Sequence, residues 1–170
     1  MSTDSEPEVT RSRVITWDDP FAAADLAKTM SGMELFEAML AGEVSSPPIA
    51  SLMDFRLASA EVGKVTFTCE PNESHYNPIG VVHGGLVCTL LDSVAGCAVH
   101  TTLPKGQAYT SLEIKVSYLR PVTVDSGTLT ATGIVTKPGR RAAFADATVT
   151  DSQGRLVATA SSTCLVFPLE

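Results

Sequence analysis

Gly84-Gly85-Leu86-Val87-Cys88-Thr89-Leu90-Leu91-Asp92-Ser93-Val94-Ala95-Gly96-Cys97-Ala98-Val99-His100 is the stretch on which the fold turns. Apolar side chains run around nearly its whole circumference, which predicts a helix over about 84–100 that is buried rather than laid on a surface. A membrane span is the competing reading. It is set aside because the run is shorter than the roughly 20 apolar residues a bilayer requires and carries Asp92 at its centre. The small residues Gly84, Gly85, Ala95, Gly96 and Ala98 suit a helix around which a sheet curls closely.

Downstream, the chain reads as an antiparallel meander. In Tyr109–Tyr118, Leu112, Ile114, Val116 and Tyr118 alternate with Ser111, Glu113, Lys115 and Ser117, the period-2 pattern of a half-buried strand. Further strands are expected at about 127–137, 140–150 and 155–167. Turn residues separate them at Asp125-Ser126-Gly127, Pro138-Gly139 and Asp151-Ser152-Gln153-Gly154. Upstream, Ser31-Gly32-Met33-Glu34 fits a capping box and predicts a helix over about 32–42. Ser45-Ser46-Pro47-Pro48 breaks it, and short strands are expected at about 51–57 and 64–70. The whole predicts an α+β architecture, a curled antiparallel sheet wrapped around one long central helix, with an N-terminal helical extension.

A chain of 170 residues with 44% hydrophobic content supports one core and one main domain, about 31–170. Residues 1–30 read as an extension. Its first 19 residues are polar and aperiodic, expected to be disordered or draped on the surface and to carry no chemistry. The start Met1-Ser2-Thr3-Asp4-Ser5-Glu6 has no basic or apolar signal region, so a cytoplasmic protein is expected. Cys69, Cys88, Cys97 and Cys164 form no C-x-x-C pair and read as reduced, with neither zinc nor a disulfide framework indicated. No metal or cofactor is expected.

The net charge of -7 is unevenly spread, because residues 1–50 carry nine acids against Arg11, Arg13 and Lys28. That balance argues against nonspecific nucleic-acid binding. Over residues 115–141, however, Lys115, Arg120, Lys137, Arg140 and Arg141 face only Asp125. This local excess permits a compact anionic ligand.

Asp92 is the most informative single residue, since an ionised carboxylate in an apolar helix is costly unless it is paired or put to use. It is either a structural acid bonded to a nearby hydroxyl or peptide group, or a general base or nucleophile. The loop His75-Tyr76-Asn77-Pro78-Ile79-Gly80-Val81-Val82-His83-Gly84-Gly85 leads straight into its helix. The first helical N–H groups lack intrahelical acceptors and suit a developing oxyanion. Gly84-Gly85 equally suits tight packing, Asn77 an ordinary turn, and His75 and His83 hydrogen-bonded loop anchors. Cys88, one turn before Asp92, invites a nucleophile reading, but a free cysteine in a buried helix usually behaves as a small hydrophobe. No G-x-S-x-G elbow is present, and the three histidines are not spaced as a metal cluster.

The pattern His75-x-Asn77-x-x-Gly80-x-x-His83-Gly84-Gly85, with Asp92 nine residues after His83, resembles the signature of the hotdog-fold thioesterases of the phenylacetate-pathway (PaaI-like) type, relatives of 4-hydroxybenzoyl-CoA thioesterases. Tyr109–Pro121 resembles the family's strand after the helix, and Lys137-Pro138-Gly139-Arg140-Arg141 its glycine-arginine hairpin; the likeness covers about residues 31–167. It implies hydrolysis of an acyl-CoA to the free acid and CoA. Asn77 and the Gly84 amide would polarise the thioester carbonyl, with His83 beside them among the catalytic residues and Gly85 among those that bind the substrate. Asp92 would activate water or attack directly. Ser111 falls where the family often has a water-positioning Ser or Thr, and Thr110, one residue away, points to the opposite face and stays open as the alternative.

The same resemblance implies a homodimer with shared active sites, which relatives often pair into tetramers. Lys137, Arg140 and Arg141 are the natural place for the phosphates of CoA, with a solvated hairpin as the alternative. A carbonyl polariser plus one carboxylate is sufficient apparatus for a thioester, which already has a good leaving group. Two rival functions share the fold: an acyl-CoA-binding or sensing module, which has no need of an acid in the helix, and an enoyl-CoA hydratase, whose Asp and His would precede the helix.

Overall fold

The computed structural model describes residues 10–169. Four α-helices and six strands follow in the order α1 (Pro20–Ala27), α2 (Gly32–Leu40), α3 (Pro48–Met53), β1 (Phe55–Glu61), β2 (Lys64–Cys69), α4 (Gly84–His100), β3 (Gln107–Tyr118), β4 (Leu129–Lys137), β5 (Ala142–Thr150) and β6 (Leu156–Pro168). The strands form one sheet in the order β1-β2-β4-β5-β6-β3, with every neighbouring pair antiparallel. This is the curled sheet around one central helix that the sequence predicts.

Helix α4 lies in the concave face of the sheet. Leu90, Leu91, Val94, Ala95, Ala98 and Val99 are fully buried there, against Val65, Leu129, Ala131, Ala143 and Val149. The inward row of β5 is Ala143, Ala145, Ala147 and Val149, and β4 adds Ala131 and Gly133; these short side chains let the helix axis approach the sheet. At Gly133 a Cβ would collide with the backbone of Val94, so glycine is required by the approach itself. At Gly96 the missing side chain makes room for the Tyr109 ring, whose hydroxyl would lie 2.6 Å from a Cβ.

The helix is not buried all round, as its composition suggests. Gly85, Cys88, Thr89, Asp92 and Ser93 are only partly covered, and together they make one stripe along the helix beside β3. Strand β3 is an edge, hydrogen-bonded to β6 on one side only, and Leu112 and Tyr118 on it are 61% and 54% exposed. Its register with β6 shifts between Ser111 and Glu113, so Leu112 is a bulge. The inserted residue reverses the in–out parity. Ile114 and Val116 pack toward the core as their alternation predicts, but on the other side of the bulge Tyr109 and Ser111 turn inward in place of Leu112.

One element departs from expectation. Residues 48–53 are a helix, where a strand over 51–57 was predicted, and β1 starts only at Phe55. Pro48 at the first helical turn has a suitable φ and lacks an N–H that would have gone unpaired there. Asp54, in the left-handed conformation at φ 57°, ends the turn and redirects the chain into β1. The capping box at the start of α2 forms as read: the Ser31 N–H donates to Glu34 Oε2 at 2.7 Å and the Glu34 N–H to Ser31 Oγ at 3.4 Å.

For residues 1–9 the expectation of disorder lies outside the described residues. Residues 10–19 run irregularly over the surface, held by Arg11 Nε on Glu73 Oε2 at 2.6 Å and by Arg13. Among the described residues no helix is long and apolar enough to cross a membrane.

Candidate active site

The loop before α4 is shaped by Asn77. Its Oδ1 accepts from the N–H groups of Ile79 at 3.0 Å and Val81 at 3.3 Å, while its own N–H donates to Val81 O at 2.8 Å. Gly80, at φ 79°, takes the left-handed position that closes this turn. Asn77 Nδ2 is left without an acceptor among the described residues. The side chain is therefore both a turn former through its oxygen and an uncommitted donor through its nitrogen.

His83 caps α4, its Nδ1 accepting from the Gly85 N–H at 2.8 Å. That contact takes Gly85 out of consideration as a donor. The Gly84 N–H keeps no acceptor among the described residues, at the end of the helix where the backbone dipole favours negative charge. The Tyr118 hydroxyl donates to Gly84 O at 3.0 Å and its ring lies against the glycine, which anchors the Gly84–Gly85 peptide next to the one that carries this N–H. His75 is an anchor: its carbonyl accepts from the His83 N–H at 2.8 Å, and its buried ring has its basicity lowered, first by burial and then by the Arg13 charge.

Two turns along the same helix, Asp92 Oδ1 accepts from Ser111 Oγ at 2.8 Å. The second oxygen, Oδ2, makes no hydrogen bond among the described residues. The acid stands in a cleft of about 320 Å3 bounded by Cys88, Thr89, Ser111, Leu112, Glu113 and Ile114. Thr110 lies on the opposite parity and is exposed on the outer side of β3. Thus Ser111, not Thr110, meets the carboxylate.

Gly84 and Asp92 are eight residues apart on one helix, about 12 Å along its axis at 1.5 Å per residue. A single carbonyl within about 3 Å of a donor and of an attacking group cannot span that gap. Among the described residues each chain thus offers two candidate half-sites: donors without an acceptor at Asn77 and Gly84, and an acceptor with a free oxygen at Asp92.

Lys137, Arg140 and Arg141 are exposed at the β4–β5 hairpin and form no ion pair with a described residue. The register Ala143–Cys164–Ser111 puts the base of the hairpin two strands from Ser111, about 10 Å away at the usual strand spacing. Among the described residues no three His, Cys, Asp or Glu side chains gather as metal ligands. The sequence reading passed over Tyr118 and Arg13. Tyr118 was legible only as one more residue of an alternating strand, and Arg13 lay in a segment with no periodicity at all.

Residues 79–158 match the family model described as the thioesterase superfamily. Acyl-coenzyme A thioesterase 13 of Homo sapiens is 33% identical over 103 residues, which is 60% of this chain and 72% of the relative. Among solved structures, a phenylacetic acid degradation-related protein of Ralstonia eutropha JMP134 superposes with a TM-score of 0.70 at 29% identity, over 76% of this chain and 98% of that one. A Streptococcus mutans UA159 protein solved bound to acetyl CoA gives a TM-score of 0.62 at 30% identity, over 69% and 91%. A sheet curled around one central helix, the family model over residues 79–158 and a 33% identical relative matched over 72% of its length place this chain in the thioesterase superfamily, as a hotdog-fold thioesterase of the PaaI-like type.

Proposed function

We propose that the protein hydrolyses acyl-CoA thioesters as a homodimer, with Asn77 and Gly84 of one protomer facing Asp92 and Ser111 of the other. The observation that carries this reading is the separation of the half-sites along one helix. Tyr118 lies against Gly84 and Ser111 against Asp92, so β3 runs beside the same length of helix in the opposite direction. If the free edge of β3 pairs with its own copy about a two-fold axis near the middle of the strand, the strand ends exchange. Gly84 of one helix then comes opposite Asp92 of the other, and one isologous contact completes two sites. The same pairing covers the half-exposed stripe of α4 and the open strand edge.

In such a site the thioester oxygen accepts from Asn77 Nδ2 and the Gly84 N–H, whose hydrogen bonds strengthen as negative charge develops. Asp92 takes a proton from the attacking water, or attacks the carbonyl carbon itself to form an acyl-Asp92 anhydride that water then hydrolyses to the free acid, and the Ser111 hydroxyl holds its other oxygen in place. The CoA thiolate leaves and is protonated. Lys137, Arg140 and Arg141 lie at the surface, where the phosphates of CoA would be met as solvated ion pairs. The names of the human relative and the acetyl-CoA complex support CoA thioesters as the substrate class.

The test is free-thiol release from a panel of acyl-CoAs with saturated chains and aromatic acyl groups. Turnover of at least one class is expected. Binding without thiol release from any of them would leave a sensing module as the better reading.

A further inference from the structure

An open-sided, largely apolar chamber of about 480 Å3 lies beside the start of α4, next to the oxyanion end of the candidate site. Its lining joins Gly85 and Leu86 of α4 and the cap His83 to Leu52 and Met53 of α3, to the Ser74–Tyr76 turn, and to two residues of the N-terminal strap, Arg13 and Ile15. The strap lies outside the residues that the family model matches. Along it Val14 is 90% exposed while Ile15 is turned inward and half-buried. Arg13 is the clasp. Its guanidinium donates to Ser51 O at 3.0 Å, stands 3.6 Å from Asp54 Oδ2 and 3.3 Å from Ser74 Oγ, and so ties the strap to α3, to the start of β1 and to the turn before Asn77. The same group lies 3.3 Å from His75 Nε2. That ring also has the Asn72 N–H at 3.2 Å from Nδ1, and a neutral imidazole can accept at only one of the two positions.

We propose that this chamber is the acyl subsite and that the strap, through Ile15 and Arg13, sets the length of acyl chain it accepts. The inference rests on the thioesterase reading above. A carbonyl held at the Gly84 N–H has its acyl arm beside Gly85 and Leu86, where the chamber begins. The volume falls within the roughly 300–1,000 Å3 of small-molecule sites, and apolar Ile15, Leu52, Met53 and Leu86 share the lining with the Arg13 guanidinium and with Ser74, His75 and His83. An acyl tail gains by burial along Ile15, Leu52, Met53 and Leu86. It is stopped where Arg13, already committed to its carbonyl and carboxylate partners, would have to be displaced.

The experiment measures kcat/KM of the full chain for saturated acyl-CoAs from acetyl to palmitoyl, in wild type, Ile15→Trp, Ile15→Ala and Arg13→Ala. Ile15→Trp should move the optimum to shorter chains, with a loss of about tenfold or more at the wild-type optimum and little change for acetyl-CoA. Ile15→Ala and Arg13→Ala should move it to longer chains. An unchanged profile in all three variants overturns the proposal while leaving the thioesterase reading intact. If wild type releases no thiol from any substrate, that reading falls instead. The subsite is then decided by calorimetric affinities for non-hydrolysable acyl-CoA thioethers, where the same shifts are expected and their absence overturns it.

Discussion

Gly84 and Asp92 stand on the same helix and carry opposite chemistry. At the first, Asn77 Nδ2 and a helix-terminal N–H are donors in want of an acceptor; at the second, a carboxylate oxygen is an acceptor braced by a serine. One end is built from backbone geometry, through an Asx turn, a left-handed glycine and a histidine cap. The other is built from side chains on two elements, and depends on a bulge to bring them together. The contrast shows how division of labour can be enforced by length alone, since a rigid helix holds the two groups about 12 Å apart. In the proposed homodimer the complementary partner of each comes from the other protomer.

The comparison breaks most sharply on two substitutions. Asp92→Asn keeps the shape and the Ser111 contact but removes the base, and should lower kcat by about 100-fold or more with the fold intact by circular dichroism. Asn77→Asp keeps the oxygen that accepts from Ile79 and Val81 while deleting the Nδ2 donor, and a loss of about 100- to 1,000-fold is expected. Equal activity of either variant and wild type would remove that residue from the site.

Ser111→Ala sharpens the acid half. It leaves the carboxylate free to rotate, and steady-state kinetics should give a fall in kcat of about tenfold, the worth of one hydrogen bond to a charged group. Thr110→Ala, one residue away on the other parity, should leave kcat close to wild type. Arg140→Ala with Arg141→Ala should act on binding alone, raising KM by about three- to tenfold with little change in kcat.

The smallest effect concerns the far end of α4. Burial lowers the pKa of His100 from its usual 6.5, and the ring packs against Phe36 and Tyr109 with centroids 5.8 and 5.5 Å away. Its contribution to stability is complete above the unfolded value, because both states are then neutral. It is lost as pH falls below 6.5 toward the lowered folded value, where the unfolded chain binds the extra proton. Thermal melts should therefore show wild-type Tm dropping with acidification over this window, and His100→Gln should drop less steeply. His75 titrates in the same direction and keeps some slope in the variant.

Legibility followed the range of the interactions that decide each feature. Helix α4 and the meander were readable because composition and period-2 alternation are local, and the basic hairpin because its turn chemistry is. The helix at 48–53 was missed where a six-residue run is too short for periodicity and the Pro-Pro pair reads as a break. At β3 the resemblance favours Ser111 and leaves Thr110 open, because strict alternation would set Ser111 on the face opposite Leu112, Ile114, Val116 and Tyr118. The bulge at Leu112 reverses this, and a one-residue insertion in a ladder leaves no mark in hydrophobic pattern. The roles of Tyr118 and Arg13 depend on residues 34 and 38 positions away, contacts that only the folded chain brings together.

The central claim is that each site takes its donors from one chain and its carboxylate from another, and co-expression of Asp92→Asn with Asn77→Asp tests it most directly. Each variant alone should be nearly inactive. The mixed preparation should recover about one quarter of the wild-type rate, because random pairing makes about half the dimers mixed and each of these has one intact site. Activity of the mixture no greater than that of the two single variants would contradict the account.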